Sequence, residues 1–171
     1  MKKKLILYST TDGQTLKICE RIKTIVSSEI DIVSLDNIKS INLDLYDLVI
    51  LGASIRYGKH KLEVSNFVLN NKEVLESKKT AFFSVNAVAR KDNKNTPESN
   101  PYILKFLKQT NWKPDYVEVF AGKINYPKYN LVDKYIIRFI LWVTKGPTNI
   151  KNVYEFTDWA KVDHFASKFS A

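Results

Sequence analysis

Five short apolar runs, each separated from the next by a segment of helical or loop character, decide what this chain can fold into. They are Lys4-Leu5-Ile6-Leu7-Tyr8, Ile30-Asp31-Ile32-Val33-Ser34-Leu35, Tyr46-Asp47-Leu48-Val49-Ile50-Leu51-Gly52, Thr80-Ala81-Phe82-Phe83-Ser84-Val85 and Tyr116-Val117-Glu118-Val119-Phe120-Ala121-Gly122. The third is apolar almost throughout, as a strand covered on both faces should be. After the first run, Ile18, Ile22, Ile25 and Val26 fall at i, i+4, i+7 and i+8 on a helix that runs to about Glu29. A second helix is predicted from Leu62 to Leu75, with Val64, Phe67, Val68 and Leu75 inward. A third opens at Asn100-Pro101, with proline in its first turn and Ile103, Phe106 and Leu107 on its apolar face. The last begins near Thr157-Asp158 and carries Trp159, Val162, Ala166 and Phe169 along one side. Strands interleaved with helices call for an α/β fold, a doubly wound five-stranded parallel sheet with right-handed crossovers. With no internal repeat or linker, residues 1–171 read as a single domain long enough to bury a core.

Composition bears on the partners. The formal net charge of +9 points to something anionic: nucleic acid, a membrane surface or an acidic small molecule. The sign does not choose among them, but no DNA-reading helix or base-stacking motif supports nucleic acid. The lone Cys19 leaves no intramolecular disulfide and fits a reducing compartment. Met1-Lys2-Lys3-Lys4 runs straight into a strand of few apolar residues, so no signal peptide is read and a cytoplasmic location is expected. Two histidines and one cysteine give no metal-ligand spacing. Cys19 lies in helix-forming sequence and reads as buried packing.

Between the first strand and the first helix lies Ser9-Thr10-Thr11-Asp12-Gly13-Gln14-Thr15. A strand, a hydroxyl-rich turn and a helix N-terminus make an anion site, because backbone N–H groups and the helix dipole converge there. One glycine and no lysine suit a single phosphomonoester better than a triphosphate or a pyrophosphate. Taken alone, the loop is equally an ordinary capped helix. In a sheet of order 2-1-3-4-5, however, it meets two other loops at the carboxyl ends of the strands, residues 53–61 and 86–98. The second offers Tyr57 between Arg56 and Lys59, and the third offers backbone polar groups from Asn86 onward with further positive charge. A phosphate cradle, an aromatic ring and a polar loop at one switch point describe a flavin mononucleotide (FMN) site.

The phosphate loop and strand order resemble those of flavodoxins, although Asp12 and Gln14 depart from the usual Thr-Gly-Asn-Thr core. Beyond that loop, Gly52-Ala53-Ser54-Ile55-Arg56-Tyr57-Gly58, Phe83-Ser84-Val85-Asn86 with Val88-Ala89-Arg90-Lys91, and Tyr154 with Thr157-Asp158-Trp159 carry a narrower likeness. They resemble the flavodoxin-like, quinone-dependent protoporphyrinogen IX oxidases of bacterial haem biosynthesis, and the likeness covers essentially the whole chain. It implies FMN-dependent oxidation of protoporphyrinogen IX to protoporphyrin IX, with electrons passed to a membrane quinone. It also implies cofactor contacts from Ser9, Thr10, Thr11, Asp12, Gly13, Gln14, Thr15, Ser54, Tyr57, Ser84, Val85, Asn86, Ala87, Val88, Ala89 and Arg90. A flavodoxin-type electron carrier and another FMN-dependent quinone reductase are the alternatives.

The substrate carries two propionates, so cations beside the flavin are expected, and arginine offers a bidentate match. Arg56, Arg90 and Lys91 are the candidates for substrate binding, with Lys59, Lys61 and Lys94 behind them; each alone also reads as a solvated surface charge. Tyr57 is the candidate to pack on the flavin ring, or else it only covers the sheet end. His60 is a candidate proton carrier, though a lone loop histidine is more often a bystander. Arg56, Tyr57 and His60 are thus the catalytic candidates.

Residues 122–152, after the fifth strand, are too many for an ordinary connection. Lys123, Lys128, Lys134, Arg138, Lys145 and Lys151 against the single acid Asp133 give this insertion a net +5. Within it, residues 131–145 read as a helix on which Lys134, Arg138 and Lys145 fall within about 40° of each other. The remainder of the circumference is largely apolar and includes Trp142. Such a helix is too short and too charged to span a bilayer but suits an anionic membrane surface. That would place the chain on the inner face of the cell membrane. A buried lid and a homo-oligomer interface are the other uses of such a helix.

Overall fold

The sheet takes the expected order. In the computed structural model, which describes residues 3–26, 29–38 and 41–170, the strands are β1 (Lys3–Ser9), β2 (Ile30–Ser34), β3 (Tyr46–Arg56), β4 (Lys59–His60), β5 (Lys79–Asn86) and β6 (Tyr116–Ala121). Five of them run parallel in the order β2-β1-β3-β5-β6. The two-residue β4 is an addition to the expected five, pairing antiparallel with the end of β3.

Successive strand residues feed opposite faces. Leu5, Leu7, Val49, Leu51 and Phe82 pack on one side with Val64, Val68, Ile103, Phe106 and Trp112. Ile6, Ile50, Ala81 and Phe83 pack on the other with Ile18, Cys19, Ile22, Val162, Phe165 and Phe169. Each fully buried Val, Leu, Ile or Phe among them contributes about 1.5–3 kcal/mol. Cys19 is part of this packing, and burial pushes its thiol well above the usual range. Gly52 is required by a close approach, since a Cβ there would lie 2.2 Å from Cζ of Phe83.

The helices are α1 (Gln14–Val26), α2 (Leu62–Asn70), α3 (Lys72–Glu76), α4 (Pro101–Thr110), α5 (Leu131–Val143) and α6 (Trp159–Ser167). The first ends short of the expected Glu29, which stands outside it with its carbonyl accepting from Lys4 N–H. The single helix expected from Leu62 to Leu75 is broken at Asn71, whose side-chain amide donates to the Phe67 carbonyl at 2.8 Å. Asparagine competes for local backbone in this way, and the helix restarts one residue later. Asn100 and Asp158 cap α4 and α6, their side chains accepting from Tyr102 N–H and Lys161 N–H.

The insertion is an ordered excursion. Lys123–Asn125 (β7) pairs antiparallel with Val153–Glu155 (β8) at its base, and α5 lies between them. Asn130 caps α5 by accepting from Asp133 N–H at 2.8 Å. The helix stops at Val143, two residues before the expected end, and Lys145 adopts φ 56° beyond it. The expected three-cation stripe therefore reduces to Lys134 and Arg138. Opposite the buried Leu141, the side chains of Leu131, Val132, Tyr135, Ile136, Phe139, Ile140, Trp142 and Val143 are 41–71% exposed. They span about 180° of the helix circumference. Among the described residues no helix is long and apolar enough to cross a membrane.

Candidate functional site

At the carboxyl ends of β1, β3, β5 and β6 lies a cavity of about 340 Å³, within the range of small-molecule sites. Its walls are the loop after β1, the turn after β3, the loop after β5 and the start of β7. Ile137, Ile140, Leu141 and Thr144 of the insertion form its roof. Thr10, Thr11, Asp12, Gln14, Thr15, Ser54, Arg56, Tyr57, Val85, Asn86, Ala87, Val88 and Arg90, all candidates from the sequence, line it. Ser9, Gly13, Ser84 and Ala89 are outside the lining, and so are Lys59, His60, Lys61, Lys91 and Lys94.

The β1 loop leads into the N-terminus of α1. Gly13, at φ 82°, turns the chain into α1, and its N–H donates to Thr10 Oγ1 at 3.0 Å. Among the described residues three buried side-chain polar atoms lack a hydrogen-bond partner, and two of them, Ser9 Oγ and Thr15 Oγ1, belong to this loop. Unbonded hydroxyls at a helix N-terminus are what phosphate oxygens would satisfy, so the residues present fit the phosphate of FMN. Gln14 lines the cavity and also reaches behind it: its amide donates to Thr157 Oγ1 at 2.9 Å, and Thr157 donates to the Ala121 carbonyl at 2.7 Å. Thr157 thus ties the start of α1 to the end of β6.

Asp12 faces the insertion. It accepts from Arg56 at 3.3 Å and from the Tyr129 hydroxyl at 3.1 Å. Arg56 also donates to Asp133 at 2.6 Å, and its guanidinium lies 5.3 Å from the ring centroids of both Tyr57 and Tyr129. The Tyr57 hydroxyl donates to Asp133, which together with Arg56 holds that carboxyl below its usual range. Burial pushes the Tyr129 phenol up to about 12, so it stays a donor. The charge of Arg56 is therefore answered within the protein by two carboxylates.

Arg90 differs. It donates to the carbonyls of Ala87 (2.8 Å) and Thr144 (3.2 Å) and to Thr144 Oγ1 (2.9 Å), all neutral acceptors. Burial works against its charge. His60, the candidate proton carrier, sits outside the cavity lining: it is 7% exposed, set against Phe82 and Phe106, with Nε2 3.0 Å from Ser84 Oγ. Lys61 pairs with Asp36 at 3.1 Å, away from the cavity.

Sequence reasoning kept a lid only as an alternative for the helix that forms the roof, and it missed Tyr102, Tyr129 and the segment from Gly122 to Ile124. Only the last had a signal, because the carboxyl end of the fifth strand also opens on the switch point.

Residues 5–151 match the flavodoxin domain family. A Leishmania major protein named protoporphyrinogen IX dehydrogenase (quinone) is 44% identical over 171 residues, 98% of this chain and 74% of that protein. The Escherichia coli K12 protein of the same name is 37% identical over 98% of this chain and 94% of its own length. A solved flavoprotein in complex with FMN from Lactobacillus acidophilus NCFM shares the fold, with TM-score 0.51 and 18% identity over 70% of this chain and 93% of that one. The chain belongs to the flavodoxin-domain family and, within it, to the protoporphyrinogen IX dehydrogenases (quinone) that include the Leishmania major and Escherichia coli proteins.

Proposed function

We propose that this chain oxidises protoporphyrinogen IX to protoporphyrin IX with bound FMN and delivers the electrons to a quinone. The observation that carries the reading is identity of 37–44% over 98% of the chain, insertion included. FMN, when bound, supplies the electron-transfer chemistry. The chain's own residues bind and orient. Ser9, Thr15 and the N-terminus of α1 hold the phosphate, and Tyr57 borders the cavity at the hairpin. A propionate of the substrate pairs with Arg90, whose charge meets no carboxylate in its own contacts. Lys123 lines the same cavity and is the second cation offered to it. Arg56 takes a propionate only by giving up Asp12 or Asp133.

The quinone, in this reading, is dissolved in the cell membrane and reached from its inner face, with the apolar arc of α5 as the contact. Lys134 and Arg138 border that arc and suit anionic headgroups. An absorption spectrum of the purified protein, followed by porphyrinogen turnover with a quinone, tests the reading. A yellow protein that oxidises porphyrinogen only when quinone is present supports it. A yellow protein with no porphyrinogen turnover would hand the chain to the electron-carrier class.

A further inference from the structure

We propose that His60 is a positioning residue whose imidazole ties the Arg56–Lys59 hairpin to the β5 loop and so sets the separation of two walls of the flavin cavity. This rests on the flavin reading above. The hairpin is joined to the sheet by only two residue pairs, Ile55 with His60 and Arg56 with Lys59. Its turn residues, Tyr57 and Gly58, have φ of 50° and 74°, the signs of a type I′ turn. Something must hold so short a ribbon in place, and His60 is its buried end. The ring sits edge-on to Phe106 and Phe82, with centroids 4.9 and 5.7 Å away.

From His60 a chain of buried polar groups runs into the opposite wall. Nε2 lies 3.0 Å from Ser84 Oγ, which accepts from Asn86 Nδ2 at 3.2 Å. Asn86 Oδ1 accepts from Ala89 N–H at 3.1 Å and from Asn100 Nδ2 at 3.2 Å. Asn100 in turn donates to the Lys94 carbonyl and caps α4. The turn from Ala87 to Arg90 is thereby hung on the same network as the hairpin.

A hydroxyl has one hydrogen and two lone pairs. With Asn86 taking one lone pair of Ser84, the Ser84 hydrogen is free to reach Nε2, and in the proposed tie it does so with a neutral imidazole as acceptor. Burial keeps it so, pushing its pKa down to about 4. Beside it is a cavity of about 130 Å³ lined by Lys59 from the hairpin and by Lys105 and Tyr102 from α4, with no acid in the lining. These cations also oppose an imidazolium. Protonation would reverse the bond and strip the Ser84 hydrogen of its acceptor.

The test uses riboflavin, which lacks a titrating phosphate, and amide exchange of the flavin-free protein. His60→Leu should weaken riboflavin binding roughly tenfold, the loss expected for one buried hydrogen bond. His60→Gln, which can return an acceptor near Nε2, should recover most of it. In the free protein, exchange of Ala89 N–H should quicken in His60→Leu while that of Leu5, Ile6 and Leu7 does not. Wild-type riboflavin affinity should stay flat from pH 8 to 5, whereas a proton carrier with an ordinary histidine pKa would give a step near pH 6.5. Such a step, or an unchanged Ala89 exchange rate in His60→Leu, overturns the proposal, as does an equal loss of protection throughout the core. Failure of the wild type to bind either riboflavin or FMN sinks the flavin reading instead, and the exchange data then decide the tie by themselves.

Discussion

Replacing Ser9 by Ala and Thr15 by Val should move two properties in opposite directions. Both side chains are fully buried, and neither hydroxyl has a partner in the protein. A buried hydroxyl left unbonded costs about 1–3 kcal/mol, and Thr→Val keeps the shape while removing that cost. Taking the low end for each site, the flavin-free double variant should gain about 2 kcal/mol. For a chain of this length that is roughly 4–8 °C in melting temperature. FMN binding runs the other way. A hydroxyl bonded to a charged phosphate oxygen contributes about 1.5–3 kcal/mol, so Kd should rise roughly ten- to a hundredfold per site. Thermal melts of the flavin-free protein, paired with fluorescence titration by FMN, read both quantities. The melting point should rise without FMN, and the stabilisation added by FMN should shrink. A double variant that melts lower without flavin and binds FMN as tightly as wild type would refute the reasoning, because the hydroxyls would then be satisfied by something other than phosphate.

Other parts of the molecule give equally direct expectations. Gly52→Ala puts a methyl group into the Phe83 ring and should destabilise the protein by about 3 kcal/mol or more, read by urea denaturation; a loss under about 1 kcal/mol would mean the ring moves aside at little cost. Arg90→Gln should raise the KM for protoporphyrinogen IX or lower turnover by roughly tenfold or more with FMN content unchanged, and wild-type kinetics would remove Arg90 from the substrate site. Changing both Lys134 and Arg138 to Gln should weaken binding to anionic vesicles by roughly thirtyfold, about 1 kcal/mol per cation, and Trp142 fluorescence in the wild type should shift to the blue on binding. Vesicle affinity equal to wild type in that variant would leave the arc of α5 to a protein partner.

The sheet, its order and the position of the cavity were legible because the strand signals are strong: apolar runs of the right length with helices between. The hydroxyl-rich loop after β1 was legible for a similar reason, since its hydroxyls and glycine are local. What escaped was set by distant groups. Nothing near Arg56 in sequence tells that Asp133 lies 2.6 Å from it, or that Tyr129 reaches Asp12. The hairpin was hidden because a type I′ turn favours Asn-Gly, and Tyr57 occupies the first position. The early end of α5 did have a local signal. Gly146-Pro147 begins three residues past Val143, and proline disfavours helix for the residue before it, so the last turn has nothing to continue into.

The departure of Asp12 from the usual phosphate-loop pattern and the single acid of a basic insertion explain one another. If the loop holds a phosphate, as proposed, a carboxylate beside it is repelled by the ligand, and Asp12 is tolerable only if a cation answers it. Arg56 does so at 3.3 Å while holding Asp133, in the first turn of α5, at 2.6 Å. At the other end of the same helix Arg90 holds the Thr144 carbonyl and hydroxyl. A helix of 13 residues with only Leu141 buried is marginal by itself. One arginine from each cavity loop therefore fastens one end of the roof. In the first turn Asp133 also meets the positive end of the helix dipole, and Arg90 meets the negative end. The roof is thus attached at both ends to the loops that enclose the cavity, while most of its apolar arc stays outside. That division lets one helix roof the cavity on one side and, in the proposed reading, offer the other side to the membrane surface.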